Sequence, residues 1–582
     1  MRRGFTALAA VLMLSTALGA CTNNKRTDEE GDSGAARQAT GAIATDPKDS
    51  QGPAPAVAGA VQGGTVTVLR EAKINHLDPQ RVYSFVGLNA SQLYARRLTT
   101  FKDDGQGHVT LVGDLAETPG TDVDKNCKTW EFKIKDGVKF EDGSAITAKD
   151  IAYGIARSFD LSLTGGPTYI QEWLADTPQF DTKFNFQANK AALPPGLSVP
   201  DDKTLRLSFP KPHCDLPFAA SLPATAPVPA AKDTGVGYDK QPVSSGPYKI
   251  SSNNAGTEIR MDRNTNWDPS TDAVRHQYPD TFVWSFGTDP QAQTNRIITD
   301  SGADQTAVSW NGVDPSLVSK VVGDPALKSR IITSPTPSEN TLTINNQRVT
   351  DLKVRQALNY AIDRDGIIKS MGGATKAVAL TTLTPPSTIG FTNYDVYPAG
   401  KSGDPVKAKE VLAGQTPSLV LAFADSAPFP AMATYAKSNL EKAGFKITLK
   451  SVASDSYLDD TKKKDNPWDL YFGSWAADWP SGAAILPVLY DGRAIKDGGS
   501  NNGASYLNAS PLNAEFDRIL ATPVEQQGAE WAKLSEKIMQ EYAPVVPLYA
   551  DVQFTLRGSK VDGVFIDSIF GYPQFTNAYT KQ

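Results

Sequence analysis

The sequence predicts an α/β fold spread over several domains, and three observations carry that prediction. The chain has 582 residues, too many for one ordinary core at roughly 100–200 residues per domain, so two to four domains are expected. Residues 418–423 are almost continuously apolar, residues 431–443 have a helical pattern ending at Gly444, and residues 446–450 alternate. Strand, helix and strand in that order are the signature of a parallel sheet with a crossover helix. Further alternating stretches and amphipathic helices are interleaved elsewhere, without a fixed-period repeat. With 40% hydrophobic and 21% charged residues, the chain can pack a soluble body.

From the N-terminus, Arg2 and Arg3 precede an apolar run from Phe5 to Ala20. That run is short of the roughly 20 residues a membrane span needs, and it has the build of a secretory signal. It ends in Leu18-Gly19-Ala20-Cys21, which resembles the bacterial lipobox, in which the cysteine is lipidated and becomes the first mature residue. A plain signal cleaved near Ala20 is the alternative. Residues 1–20 are therefore expected to be a lipoprotein signal peptide, and 21–63 a disordered tether. The tether is rich in Gly, Ala, Asp, Ser and Pro and lacks the apolar periodicity that offsets ordering entropy. Regular structure is expected from Gly64, where Thr65–Leu69 alternates as a strand.

With Cys21 assigned to lipid, Cys127 and Cys214 remain. An even pair outside the cytoplasm usually forms a disulfide. Cys127 precedes the strand pattern 129–134, and Cys214 follows the strand pattern 204–209, as antiparallel neighbours would require. Thr147 and Asp150 mark a helix start, with Ile151, Ile155 and Phe159 on one face. Residues 190–200 read as a loop, and the Pro-rich residues 223–229 as a boundary. Residues 244–250 form a turn feeding a strand, and 341–346 are strand-like. Residues 352–363 are helical with Val354, Leu358 and Ile362 on one stripe. Residues 468–475 supply a further buried strand, and 525–542 a helix with Trp531, Leu534, Ile538 and Met539 inward.

Composition narrows the function. Lys plus Arg number 58 against 64 Asp plus Glu, which gives no basic face for nucleic acid. Four His and three Cys are scattered, so no metal cluster with zinc spacing can be written; no metal and no cofactor is expected. There is no Gly-x-Ser-x-Gly elbow for a serine hydrolase. Gly400-Lys401-Ser402 hints at a phosphate loop, but Asp395 stands where its first Gly belongs and no strand leads into it. Glu141 and Asp142 sit in a turn ending at Gly143. Catalysis is disfavoured.

Several blocks, in order along roughly residues 64–575, resemble one family. They are Gly113-Asp114-Leu115-Ala116-Glu117, then Trp130-Glu131-Phe132-Lys133-Ile134-Lys135-Asp136-Gly137-Val138-Lys139-Phe140-Glu141-Asp142-Gly143, then Ser245-Gly246-Pro247-Tyr248 and Arg263-Asn264-Thr265-Asn266-Trp267. Val354-Arg355-Gln356-Ala357-Leu358-Asn359-Tyr360-Ala361-Ile362-Asp363-Arg364 and Trp475-Ala476-Ala477-Asp478-Trp479-Pro480 follow. The family is the extracellular solute-binding proteins of peptide-type (oligopeptide and dipeptide) ABC importers, the family 5 solute-binding lipoproteins. The resemblance implies a two-lobed periplasmic-binding-protein-like fold of the class II type. Lobe I would comprise 64–100, 226–338 and 548–582, with an inserted α/β domain at 101–225; lobe II would be 339–547.

Asp478 stands out without the family, lying just beyond the carboxyl end of a strand in a sheet with parallel character, where open α/β sheets bind ligands. Set between two Trp, it would be desolvated on lobe closure and need a cation. The resemblance supplies one, because the matching Asp binds a peptide's α-ammonium. The alternative is a turn cap before Pro480. Trp475 is read as cleft lining; Trp479 is either lining or core. The resemblance also places Asn345, Asn346 and Glu71 near the lobe junctions, where backbone groups take the peptide as an added strand. The family position that can carry an Arg for the ligand carboxylate is Phe472 here, and Lys462, Lys463 and Lys464 lie nearby.

These readings imply a protein exported and anchored through Cys21 to the outer face of the cell membrane, or held in the periplasm. It would be a monomer that captures short peptides and delivers them to ABC permease subunits with cytoplasmic ATPases. The alternatives are the same transport role for an oligosaccharide or metal complex, and a sensing lipoprotein without transport.

Overall fold

The computed structural model describes residues 40–105, 108–254, 256–463, 465–495 and 503–581. Cys21 and the signal segment 1–20 lie outside these. Residues Ala36–Gln582 form one compact unit, organised around sheets that the alternating segments build.

Strand Thr65–Leu69 occupies the interior of a five-stranded sheet, with Ala307–Ser309 and Thr281–Ser285 parallel on its two sides and the hairpin Tyr248–Asn254/Glu258–Arg263 completing one edge. Val66, Val68 and Leu69 are fully buried, as a strand covered on both faces requires. A four-stranded antiparallel sheet joins Thr121–Asp122, Thr129–Lys133, Thr204–Ser208 and Leu197–Asp201. Thr129 pairs with Ser208, so the strand that starts after Cys127 and the one that ends before Cys214 are neighbours. The two cysteines are joined in a disulfide, with Cα atoms 4.8 Å apart. Helix Ala148–Arg157 starts with the Asp150 carboxylate accepting from Thr147 N–H at 2.8 Å, and Ile151, Ile155 and Phe159 are buried along its stripe.

The largest sheet is mixed. Its order is Ile331–Pro335, Val545–Leu556, Ser338–Ile344, Leu470–Ala476, Ser418–Ala424, Lys446–Val452, with Ala377–Ala379 also on Val545–Leu556. Ser418–Ala424 and Lys446–Val452 are parallel and are bridged by helix Phe429–Lys442. Gly444 follows that helix at φ +99°, a conformation side-chain-bearing residues avoid. The twelve-residue strand Val545–Leu556 pairs first with Ser338–Ile344 and then with Ile331–Pro335. Two strands thus run side by side where 331–344 passes 545–556, and the expected boundaries at 338/339 and 547/548 fall in this pair. Asp551 fastens the crossing, its carboxylate accepting from Ser338 Oγ and from Asn340 Nδ2, both at 2.9 Å.

The expected tether is corrected over 40–63. Thr40–Ile43 pairs in parallel with His108–Gly113. Ser50 is fully buried and its hydroxyl accepts from Gly113 N–H at 2.9 Å. Its carbonyl, with those of Gly113 and Thr271, accepts from the Lys135 ammonium. The physical reason is that this segment docks through backbone groups, covering an open strand edge and satisfying a buried lysine, so it needs no apolar stripe.

The block around Asp114 also gains a structural explanation. Asp114 is buried and takes Arg96 Nε at 2.7 Å, Arg275 Nη2 at 2.8 Å and Arg97 N–H at 3.0 Å. Those cations hold its carboxyl well below the usual range even though burial opposes them. Among the described residues, no helix is long and apolar enough to cross a membrane.

Candidate functional site

Strand Leu470–Ala476 lies between an antiparallel neighbour, Ser338–Ile344, and a parallel one, Ser418–Ala424. Beyond its carboxyl end the chain turns through Ala477, Asp478 and Trp479. The Asp478 carboxylate is met by two tyrosines from distant segments. Tyr83, just ahead of helix Phe85–Tyr94, donates to Oδ2 at 2.8 Å, and Tyr169, first residue of helix Tyr169–Ala175, donates to the same oxygen. Among the described residues, no basic side chain pairs with Asp478 and Oδ1 has no partner. Burial pushes the carboxyl upward, and the two tyrosine donors only partly oppose this. Both tyrosines are themselves pushed up, first by burial and then by the Asp478 charge, so they remain protonated donors. The result is a half-buried, partly desolvated carboxylate with one open oxygen, which favours a cation.

Trp479 is buried, and its indole N–H donates to Asp215 Oδ2 at 2.9 Å. Asp215 directly follows the disulfide residue Cys214, and burial pushes its carboxyl up to about 6. Tyr169 meets the Trp479 ring edge-on at 4.8 Å, and Trp173 stacks on His213 at 4.4 Å. Burial pushes that imidazole down to about 4, so it is neutral near pH 7. These rings line a cavity of 530 Å³ that also reaches Arg493 and Asp517.

The profile of the bacterial extracellular solute-binding proteins, family 5 (middle region), matches residues 110–497, more than half of the chain. The chain belongs to this family. Among curated relatives, the dipeptide-binding protein of Lactococcus lactis subsp. cremoris is 23% identical over 497 residues, covering 80% of this chain and 86% of that protein. The periplasmic oligopeptide-binding protein OppA of Escherichia coli K12 is 24% identical over 497 residues, covering 81% and 85%. Of solved structures, the clavulanic acid biosynthesis oligopeptide binding protein 2 superposes with a TM-score of 0.81 at 25% identity, covering 90% of this chain and 96% of that one. OppA of Haemophilus influenzae in complex with the peptide RPPGFSPFR superposes at 0.64 with 17% identity, covering 90% and 100%. The curated relatives are named as binding proteins.

In this family 5 solute-binding protein, the residues singled out from sequence divide into groups. Trp475 is half-buried, donates its indole N–H to Ala484 O at 2.9 Å, and lines a cavity of 190 Å³. Asp478 therefore sits, along the chain, between walls of two cavities. Trp479 is wall and bolt at once. Asn345 and Asn346 are not brought to Asp478. They follow the far end of strand Ser338–Ile344 from Glu339, the residue paired with Trp475. Asn345 Nδ2 donates to Trp468 O at 3.3 Å; Asn346 Nδ2 donates to Ile344 O at 2.9 Å and Ser505 O at 2.8 Å. Their side-chain amides thus fasten neighbouring backbone carbonyls. Phe472 is buried in the apolar core, and Lys463 pairs with Asp460; Lys464 lies outside the described residues.

Glu71 is exposed, and its backbone holds a loop junction: its N–H donates to Asn311 Oδ1 at 3.1 Å and its carbonyl accepts from Gly287 N–H at 2.9 Å. Beside it an aromatic row begins. The Arg70 guanidinium lies 5.1 Å over Trp310, Trp310 stacks on Tyr572 at 4.4 Å, and Tyr572 contacts Phe85 at 5.2 Å, two residues from Tyr83. The sequence reading missed Tyr83, Tyr169, Arg70, Trp310, Tyr572 and Glu339. None lies in a recognisable motif.

Proposed function

We propose that this protein captures short peptides through Asp478 and hands them to an ABC importer. The observation that carries the reading is the Asp478 carboxylate, partly desolvated, fixed by two tyrosine hydroxyls and lacking a cation among the described residues. A peptide's α-ammonium supplies the missing charge, with Oδ1 as its acceptor in a charge-assisted hydrogen bond. Tyr83 and Tyr169 pre-orient the carboxylate, so little freedom is lost on binding. The peptide- and oligopeptide-binding names of the relatives support this substrate class, as does the peptide complex of a protein with the same fold. Capture would draw the lobes about the strand pair 331–344/545–556, the ligand favouring the closed arrangement by differential affinity. We further propose that the chain acts as a monomer, anchored through lipidated Cys21 and delivering to permease subunits with cytoplasmic ATPases.

The test is calorimetric titration with short peptides, their N-acetylated forms and an oligosaccharide panel. Free-amine peptides should bind and the acetylated forms should not. Binding of a sugar alone would overturn the substrate class. Cys21→Ala should move the protein from the membrane fraction to the soluble exported fraction; unchanged membrane retention would remove the anchor.

A further inference from the structure

The 190 Å³ cavity beside Trp475 has an unusual floor. Strands Ser338–Ile344 and Leu470–Ala476 alternate. Leu342, Ile344, Leu470 and Phe472 enter the apolar core, whereas Glu339, Thr341 and Thr343 face the cavity with their cross-strand partners Trp475, Gly473 and Tyr471. Glu339 is only 2% exposed. Its Oε1 accepts a long hydrogen bond from Tyr490 Oη at 3.4 Å, and its Oε2 is buried without a partner among the described residues. A buried carboxyl left half unpaired is costly, and native proteins keep few such groups. Gly473 points the same way. A Cβ there would lie 2.5 Å from Thr343 Oγ1, so glycine leaves open the space above the two threonines, whose hydroxyls bond each other at 2.9 Å and keep lone pairs to accept further donors. The cavity thus combines room for one long side chain, an unpartnered acid and a wall shared with the residue three before Asp478.

We propose that this cavity is a specificity pocket in which Glu339 receives a cationic side chain, ammonium or guanidinium, of the bound peptide. The proposal rests on the peptide reading of Asp478 and deepens it. Several N–H donors on one cation satisfy Oε2 and replace the weak Tyr490 contact, and the threonine hydroxyls accept from the remainder. The titratable groups facing Glu339 are Tyr490, Tyr394 and Tyr471, with half-buried Lys462 on the same cavity wall. No ion pair joins Lys462 to Glu339, so among the described residues the acid has no counter-charge. Burial pushes Glu339 up to about 8, so an entering cation displaces a proton.

The experiment uses tripeptides with a free amine in which lysine, arginine or norleucine occupies each position in turn, titrated into the full exported protein. At one position the lysine and arginine peptides should bind at least tenfold tighter than the norleucine peptide. That ratio should rise with pH from 6 to 8, by up to about tenfold per pH unit. Glu339→Gln should bring the ratio close to one and abolish its pH dependence. A wild-type ratio near one at every position overturns the pocket while leaving the peptide reading intact. A ratio that Glu339→Gln leaves unchanged overturns the role of Glu339. Failure of every peptide to bind overturns the peptide reading, and the pocket with it.

Discussion

Replacing Asp478 by Asn separates what the site does for the ligand from what it does for the fold. The amide retains an oxygen for Tyr83 and Tyr169, so the geometry is preserved while the charge is lost. Asp478 is half-buried, so the milder figure for hydrogen bonds to charged groups applies, about 1.5–3 kcal/mol. At about 1.4 kcal/mol per decade, binding of a free-amine peptide should weaken about 10- to 150-fold. The empty protein should respond in the opposite sense. A carboxyl whose pKa is raised in the fold contributes stability below its unfolded pKa and loses it as pH rises through the folded one. At pH 7 the substitution removes an unfavourable buried charge, and the unliganded melting temperature should rise. The assay is calorimetric titration with free-amine and N-acetylated peptides, alongside thermal melts of the empty proteins. Unchanged affinity, or an equal loss for both peptide forms, would refute the ammonium contact. A lower melting temperature would refute the view that Asp478 is held at a cost.

Three further outcomes follow from groups away from the ligand. Asp215 is fully buried and raised from the ordinary 3.8 to about 6, a difference of about 3 kcal/mol at 1.36 kcal/mol per pH unit. Wild-type stability should therefore fall as pH rises from 4 to 7, and Asp215→Asn should flatten that profile in denaturant titrations at each pH. Asp114→Ala should destabilise by about 3–5 kcal/mol, because it leaves the buried Arg96 and Arg275 to share the single carboxylate of Asp272; guanidinium unfolding measures it, and a loss under 1 kcal/mol would count against the network. Opening the Cys127–Cys214 bridge by the double Ser substitution should cost about 4–5 kcal/mol by loop-entropy arithmetic for an 87-residue separation. Thiol alkylation of the native exported protein without reductant should detect neither cysteine.

Much of the fold could be read locally. Ile151, Ile155 and Phe159 are buried at the spacing that announced their helix, and Leu419, Leu421 and Phe423 are buried in the strand their apolar run predicted. Each segment carries its own periodicity, since burial repeats every 3.6 or every two residues whatever lies opposite. The same rule misled over 40–63. A segment that docks through its backbone has no such periodicity, so a strand on an exposed edge and a buried Ser50 looked like tether. Asn345 and Asn346 stand at a strand end, and the carbonyls their side-chain amides meet, those of Trp468 and Ser505, come from segments more than a hundred residues away.

The sequence by itself determined the α/β elements, the pairing of Cys127 with Cys214 and the position of Asp478 beyond a strand end, because these depend on residues near one another in the chain or on a count of two. Only the tertiary structure decided what surrounds that carboxylate. Tyr83 reaches Asp478 across 395 residues and Tyr169 across 309. Trp479 is tied to Asp215 across 264, and the missing partner of Glu339 becomes visible only once two strands are in register. Burial patterns are written segment by segment, whereas the partner of a polar group, or its absence, is set when distant segments close on one another and exclude water.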